Sequence, residues 1–225
     1  GVFWMAGYGS DLLIGGDFTR TGKWTKQQGF AKFSDNWSVG GGGFFEEDFS
    51  TGFGIWDKVN NGVIDTSQGA AAPPSARFDV DGKRGRARTS LEVSHDAMCS
   101  SAAVNLDNPP PSGSLVLMRL RREGGKSVMR VLRDAGGFLR IRSDIQGATS
   151  VRAGALGTGW HTIEICGAVG TTSSWDLYRD AVTVLDGWTT DSGTAAIGRV
   201  EIGDSSMTKT WSGNFDDVAV DLTPG

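Results

Sequence analysis

No run of apolar residues in this chain approaches the ~20 needed to cross a bilayer as a helix, so no helical membrane span is expected. An excess of one charge is also lacking. The 22 Lys and Arg stand against 26 Asp and Glu, a net charge of −4 over 225 residues, which gives no overall pull towards nucleic acid or an anionic membrane. Cysteine and histidine are scarce, two of each, and neither a CxxC nor a spaced His pair is present, so a zinc site is not expected. There is no Gly-x-Ser-x-Gly elbow. The glycines at 40–43 are followed by neither Lys-Ser/Thr nor a helical pattern, which excludes a phosphate loop. Nothing resembles a signal peptide. The chain starts inside an apolar segment, Gly1-Val2-Phe3-Trp4-Met5, and is expected to be the carboxy-terminal part of a longer protein.

What the chain has is glycine and short apolar runs. Gly accounts for 34 residues, roughly twice average usage, and it sits between strand-like segments as turns do. Asn61-Gly62 separates 55–60 from 63–66, a two-residue hairpin signal because both positions favour φ > 0. Gly124-Gly125 separates 114–122 from 127–133. Ala135-Gly136-Gly137 leads into a run where Leu139 and Ile141 alternate with Arg140 and Arg142. Further runs follow at 160–166, 174–179, 181–185, 199–203 and 215–222. Strands at this spacing predict an all-β sandwich or barrel. Two basic runs, Lys83 to Arg88 and Arg119 to Lys126, fall at turns or strand ends and read as solvated edges.

Parity constrains the cysteines. Cys99 lies opposite in register to Met98, Ala102, Val104 and Leu106, and Cys166 lies opposite to Ile163 and Ile165. Both therefore occupy the less apolar faces of different strands. Two outcomes stay open: a disulfide across one sheet, or two free thiols packed as small hydrophobes.

Composition divides the chain. Residues 39–43 form a glycine linker. Before it, 1–38 carry Leu12-Leu13-Ile14-Gly15-Gly16-Asp17-Phe18-Thr19-Arg20 and Gln28-Gly29-Phe30-Ala31-Lys32-Phe33, a short β-hairpin segment. Residues 12–33 resemble one repeat of secreted bacterial β-propellers and are similar to segments in tail proteins of phages that infect actinobacteria. A single repeat cannot bury its own apolar face, so the segment is expected to end a larger upstream part.

After the linker comes a domain at 44–225, of which 44–222 resemble the laminin-G-like, concanavalin-A-like jelly rolls. The resemblance rests on Gly159-Trp160-His161-Thr162-Ile163-Glu164-Ile165, on Asp176-Leu177-Tyr178-Arg179-Asp180-Ala181-Val182, on Val200-Glu201-Ile202-Gly203, and on the closing Asn214-Phe215-Asp216-Asp217-Val218. Glu47-Asp48-Phe49, followed by Trp56, is similar to the opening strand. Ala181 departs from the usual glycine, so that turn is expected to be of another type. The resemblance implies an all-β, two-sheet antiparallel jelly-roll sandwich with a curved, partly exposed face. It also implies one structural Ca2+ where first and last strands meet, with Glu47, Asp48, Asp216 and Asp217 as candidate ligands, because calcium takes six to eight oxygens.

The functional expectations follow from these readings. Glycanase relatives alternate acidic residues along one strand, since a retaining mechanism needs two carboxyls ~5–5.5 Å apart. No Glu-x-Asp-x-Glu run exists here, so the chain is expected not to be an enzyme. Trp188, Asp191 and Trp211 lie in turn-like contexts, where an exposed indole beside Asp and Thr suits a sugar or a protein partner. The expected role is a glycan-binding or adhesion module, extracellular or in a virion tail. Its partners would be a cell-surface glycan or other subunits, with a trimeric fibre as one arrangement. The alternatives are a purely structural decoration domain and, further off, a glycan hydrolase.

Overall fold

The computed structural model describes residues 2–8, 11–16, 30–33 and 45–221. The chain forms two compact units, Gly1–Gly42 and Gly43–Gly225, and the division falls within the glycine run. In the first unit, β1 (Val2–Tyr8), β2 (Asp11–Gly16) and β3 (Phe30–Phe33) make a three-stranded antiparallel meander rather than a hairpin. Of the expected strand at 12–20, the part beyond Gly16 lies outside the described residues.

The second unit is all strand and turn, and no helix occurs among the described residues. In chain order the strands are β4 (Phe45–Glu47), β5 (Lys58–Asn60), β6 (Gly62–Asp65), β7 (Ser75–Asp81), β8 (Gly85–His95), β9 (Ala97–Asn108) and β10 (Leu115–Arg122). They continue with β11 (Ser127–Arg133), β12 (Leu139–Ser143), β13 (His161–Ala168), β14 (Ser173–Arg179), β15 (Val182–Thr190), β16 (Ile197–Asp204) and β17 (Thr210–Asp221). One sheet has the order β12-β11-β10-β16-β8-β5. The other runs β15-β14-β13-β9-β17-β7-β6, with β4 also paired to β17. All pairings are antiparallel, and the two sheets stack as a jelly-roll sandwich.

Alternation places the core. From the larger sheet, Phe78, Trp211 and Phe215 pack edge-on or tilted at centroid separations of 5.8–6.4 Å, with Ile163, Ile165, Trp175 and Leu177 beside them. From the smaller sheet, Leu120, Met129, Val131, Ile141, Val200 and Ile202 meet them. Burying such side chains is the main favourable term in folding. A Cβ at Gly167 would lie 2.4 Å from the ring of Trp175, so only glycine admits the buried indole opposite it.

The opening and closing strands meet, with Glu47 opposite Val218 and Phe45 opposite Val220. Asn61-Gly62 does not make the expected hairpin. β5 pairs with β8 in one sheet and β6 with β7 in the other, so the chain crosses between layers there. Asn61 takes φ 51°, and its side-chain amide donates to the Arg84 carbonyl. The Asp180-Ala181 turn has φ 53° and 59°, the pattern of a type I′ hairpin built without glycine.

Candidate ligand-binding face

The outer face of the six-stranded sheet is built by period-two arginines. Pairing sets Lys58 opposite Arg88, Arg88 opposite Glu201, Glu201 opposite Arg119, Arg119 opposite Arg130 and Arg130 opposite Arg142. One transverse row therefore crosses every strand of the sheet, and all six of its residues are charged. Arg86, Arg121 and Arg199 flank that row at neighbouring positions. Of the basic runs read as solvated edges, Lys83, Arg84 and Lys126 do lie in exposed turns, but four arginines are within the sheet. Arg86, Arg88, Arg119 and Arg121 alternate with core residues, and β8, β16 and β10 lie side by side.

Glu201 holds the centre. Its side chain is fully buried and accepts from Arg86 Nη1 at 2.8 Å, Arg119 Nη1 at 2.9 Å and Arg121 Nε and Nη2 at 3.1 and 3.2 Å. Three guanidinium groups share one carboxylate. At the other end Asp144 accepts from Arg130 and lies 3.6 Å from Arg142 Nε. Burial would raise the Asp144 carboxyl, but hydrogen bonds from Arg130 and Ser127 hold it below its ordinary value.

Arg88 and Arg199 have no carboxylate partner among the described residues, and the Nε atoms of both are buried without a hydrogen bond. Burial, then Arg199 and Arg86, holds the Arg88 guanidinium below its usual value. Burial likewise lowers Arg119, with Glu201 opposing. Positive charge is thus packed beyond what the local carboxylates offset. Lys58 is exposed, and Arg88, Arg199, Arg130 and Arg142 are half-buried, so the face is open to an arriving ligand. The Arg199 guanidinium lies beside Gly125, next to a hollow of ≈ 420 Å³ lined by Ser94, Arg122, Gly124 and Lys126.

The opposite outer face is acidic. Glu164 pairs with Ser101 and Tyr178, and a cleft of ≈ 230 Å³ is lined by these with Thr162, Asp180 and Ala181. Burial, then Asp176 and Glu164, raises the Tyr178 hydroxyl. His161 Nδ1 meets Asp180 Oδ2 at 2.8 Å, and its Nε2 meets the Thr158 carbonyl at 3.2 Å. Cys99 and Cys166 are cross-strand partners on this face and are joined, S–S 2.06 Å. They lie with Glu164 in the one three-residue His, Cys, Asp or Glu group within 4.8 Å among the described residues, but the disulfide occupies both sulfurs.

The expected ligand residues are dispersed. Trp211 is 1 % exposed, packed between Phe78 and Phe215, and is closed to any ligand. Trp188 is half-buried on edge strand β15 opposite Trp175 and packs against the core. Asp191 Oδ1 accepts from Gly193 N–H and so caps its own turn.

The expected calcium ligands come closer together. Glu47 Oε1 accepts from Phe49 N–H at 2.7 Å, and the buried carboxylate also faces the Trp56 indole N–H, which favours its charged form. Burial raises Glu47, and Asp48 and Asp216 add repulsion. Burial likewise raises Asp216, with Asp217 and Asp48 adding to it. Asp48 is exposed and held low by Ser50, and Asp217 is exposed beside Asp216. Mutual repulsion among these carboxylates is what a cation would relieve. No three of these four residues bring carboxylate oxygens within 4.8 Å of one another.

The chain matches no known protein family and no curated protein. Among solved structures it is similar to the cellulose-induced protein Cip1, at 16% identity over 80% of this chain and 97% of that one, TM-score 0.63. It is similar to an endo-β-1,4-glucuronan lyase from the fungus Trichoderma reesei, at 15% identity over 81% and 96%, TM-score 0.57. A Trypanosoma rangeli sialidase is similar at 15% identity over 80% of this chain and 30% of that chain, TM-score 0.60. These likenesses establish a shared fold. They overturn the expectation that the chain is not an enzyme, because a lyase and a sialidase carry this sandwich. A missing run of alternating carboxylates excludes one hydrolytic layout and not catalysis on this fold.

Proposed function

We propose that residues 45–221 form a carbohydrate-directed domain whose contact surface is the outer face of the six-stranded sheet. The observation that carries the reading is the charged row across that sheet, with guanidinium groups in excess of the carboxylates that pair with them. Support comes from the fold shared with a glucuronan lyase and a sialidase, named for the carbohydrates they act on. The laminin-G-like kinship, an extracellular or virion-tail location and a place among other subunits of a larger assembly belong to the same reading. The phage-tail-like segment at 12–33 supports the last of these.

The test is a panel of immobilised neutral and acidic glycans, scored for binding and for new reducing or unsaturated ends in the same samples. Saturable binding of at least one glycan class is expected. No binding and no turnover across the panel would contradict the reading and leave a structural decoration role.

A structural Ca2+ belongs to this proposal: Glu47, Asp48, Asp216 and Asp217 would have to draw together around it, and it would neutralise the repulsion among them. Added calcium then raises the melting temperature and EDTA lowers it. Glu47→Gln loses the calcium increment. Identical melting curves in calcium and EDTA would remove the site.

A further inference from the structure

We infer that the arginine row is a binding track for a linear acidic polysaccharide bearing carboxylates, laid across the strands of the six-stranded sheet. The inference rests on the carbohydrate reading above and specifies its ligand.

The geometry argues for a repeating anion. The row advances one residue per strand, and neighbouring strands lie about 4.8 Å apart. That step is close to the rise of one sugar in an extended pyranose chain. Six strands make a track of about 24 Å, room for about five sugars. Four of the row's six residues are arginines, and a fifth, Lys58, is exposed at one edge. An acidic chain with charges at sugar intervals can meet Lys58 and Arg88 in the row and Arg199 beside it at once. A small anion can meet only one or two.

The chemistry argues for carboxylate. Guanidinium presents a planar fork that matches a carboxylate bidentately, and such charge-assisted pairs are stronger than neutral ones. Glu201 already makes this match inside the sheet with Arg121, through Nε and Nη2. Arg88 and Arg199 have no ion-pair partner among the described residues; their Nε atoms are buried and closed to a ligand, so an arriving carboxylate would meet the outer Nη1–Nη2 edge, and Arg88 sits directly opposite Glu201. They are the residues that ligand carboxylates would engage. Arg86, Arg119 and Arg121 are committed to Glu201 and set the field around them. The Cβ of any residue but glycine at 203 would strike the Gly85 carbonyl at 2.3 Å, and Gly203 takes φ 80°; this lets β16 lie close against β8 beside the row.

The experiment uses the full chain and the double variant Arg88→Gln/Arg199→Gln. Probes are oligomers of polygalacturonate, alginate and glucuronan, the carboxyl-reduced neutral form of each, heparin, and inorganic polyphosphate. The inference expects at least one uronate to bind and its reduced form not to. Affinity should rise with chain length up to about five sugars and fall with salt, as counterion release requires. The double variant should bind about 100-fold more weakly, at roughly tenfold for each charge-assisted hydrogen-bonded pair that it can no longer form. Because neither arginine has an acid partner, that variant should fold with a melting temperature at or above wild type.

Equal binding of the reduced forms would overturn the inference and leave the carbohydrate reading standing. Heparin bound in preference to every uronate would overturn the carboxylate assignment. Polyphosphate bound as tightly as uronates would overturn the carboxylate assignment, and no binding to any probe or neutral glycan would overturn both readings. Undiminished uronate affinity in a folded double variant would place the ligand elsewhere.

Discussion

Glu201 and its three arginines show how one residue can hold a face together. A fully buried carboxylate is stable there because three guanidinium groups hydrogen-bond to it. Glu201→Gln keeps the shape and removes the anion, leaving Arg86, Arg119 and Arg121 in mutual repulsion. A loss of about 3–5 kcal/mol is expected from denaturant unfolding, as for other buried pairs broken on one side. Wild-type stability in that variant would mean the arginines turn to water instead. A smaller effect is expected at Ala181, held at φ 59°. Left-handed backbone costs a residue with a Cβ about 1–2 kcal/mol, so Ala181→Gly should stabilise by about 1 kcal/mol. No gain would show that the turn relaxes at no cost.

Glu47 and Asp216 act on stability in the opposite sense to Asp65. Hydrogen bonds from Ser67 and Asn214 hold Asp65 at about 2 in the folded chain, so its contribution is full above the ordinary carboxylate value and is lost as pH falls towards 2. Glu47 and Asp216 are raised, so the folded state binds their protons more readily than the unfolded chain. Their contribution is greatest in acid and falls as pH rises through the raised values. In EDTA, Glu47→Gln should therefore gain stability over wild type at neutral pH and not at pH 3. A calcium ion would reverse the neutral-pH ranking.

At the scale of strands, much of the fold is legible because alternation is written into short segments. Leu139 and Ile141 against Arg140 and Arg142 is β12 as found. The parity that put Cys99 and Cys166 on matching faces is the register in which they pair, although parity alone could not decide between bridge and thiols. Trp211 was obscured by its neighbours. Lys209-Thr210 reads as a turn, yet Trp211, Gly213 and Phe215 already alternate towards the core in β17. Asn61-Gly62 carries genuine turn chemistry, but local chemistry fixes a backbone bend and not which sheet each arm joins. The arginine row was missed for a related reason. Arg86-x-Arg88, Arg119-x-Arg121 and Arg140-x-Arg142 each show the period-two signal. Their meeting on one face depends on β16 entering between β8 and β10, which only topology reveals.

At the scale of the whole molecule, a net charge of −4 over the chain conceals two unlike surfaces on the sandwich. One sheet turns a row of arginines outward, and the other turns out Glu164, Asp176 and Asp180 around Tyr178. A folded sheet keeps such fields apart because its faces point in opposite directions. The basic face can therefore attract an anionic chain although the protein as a whole would not. The most direct measurement is the affinity of the intact chain for an acidic oligosaccharide and for its carboxyl-reduced twin at one low salt concentration. The charged row predicts tight binding of the first and loss of binding for the second. Equal affinity for the two, or greater affinity for the neutral twin, would contradict it.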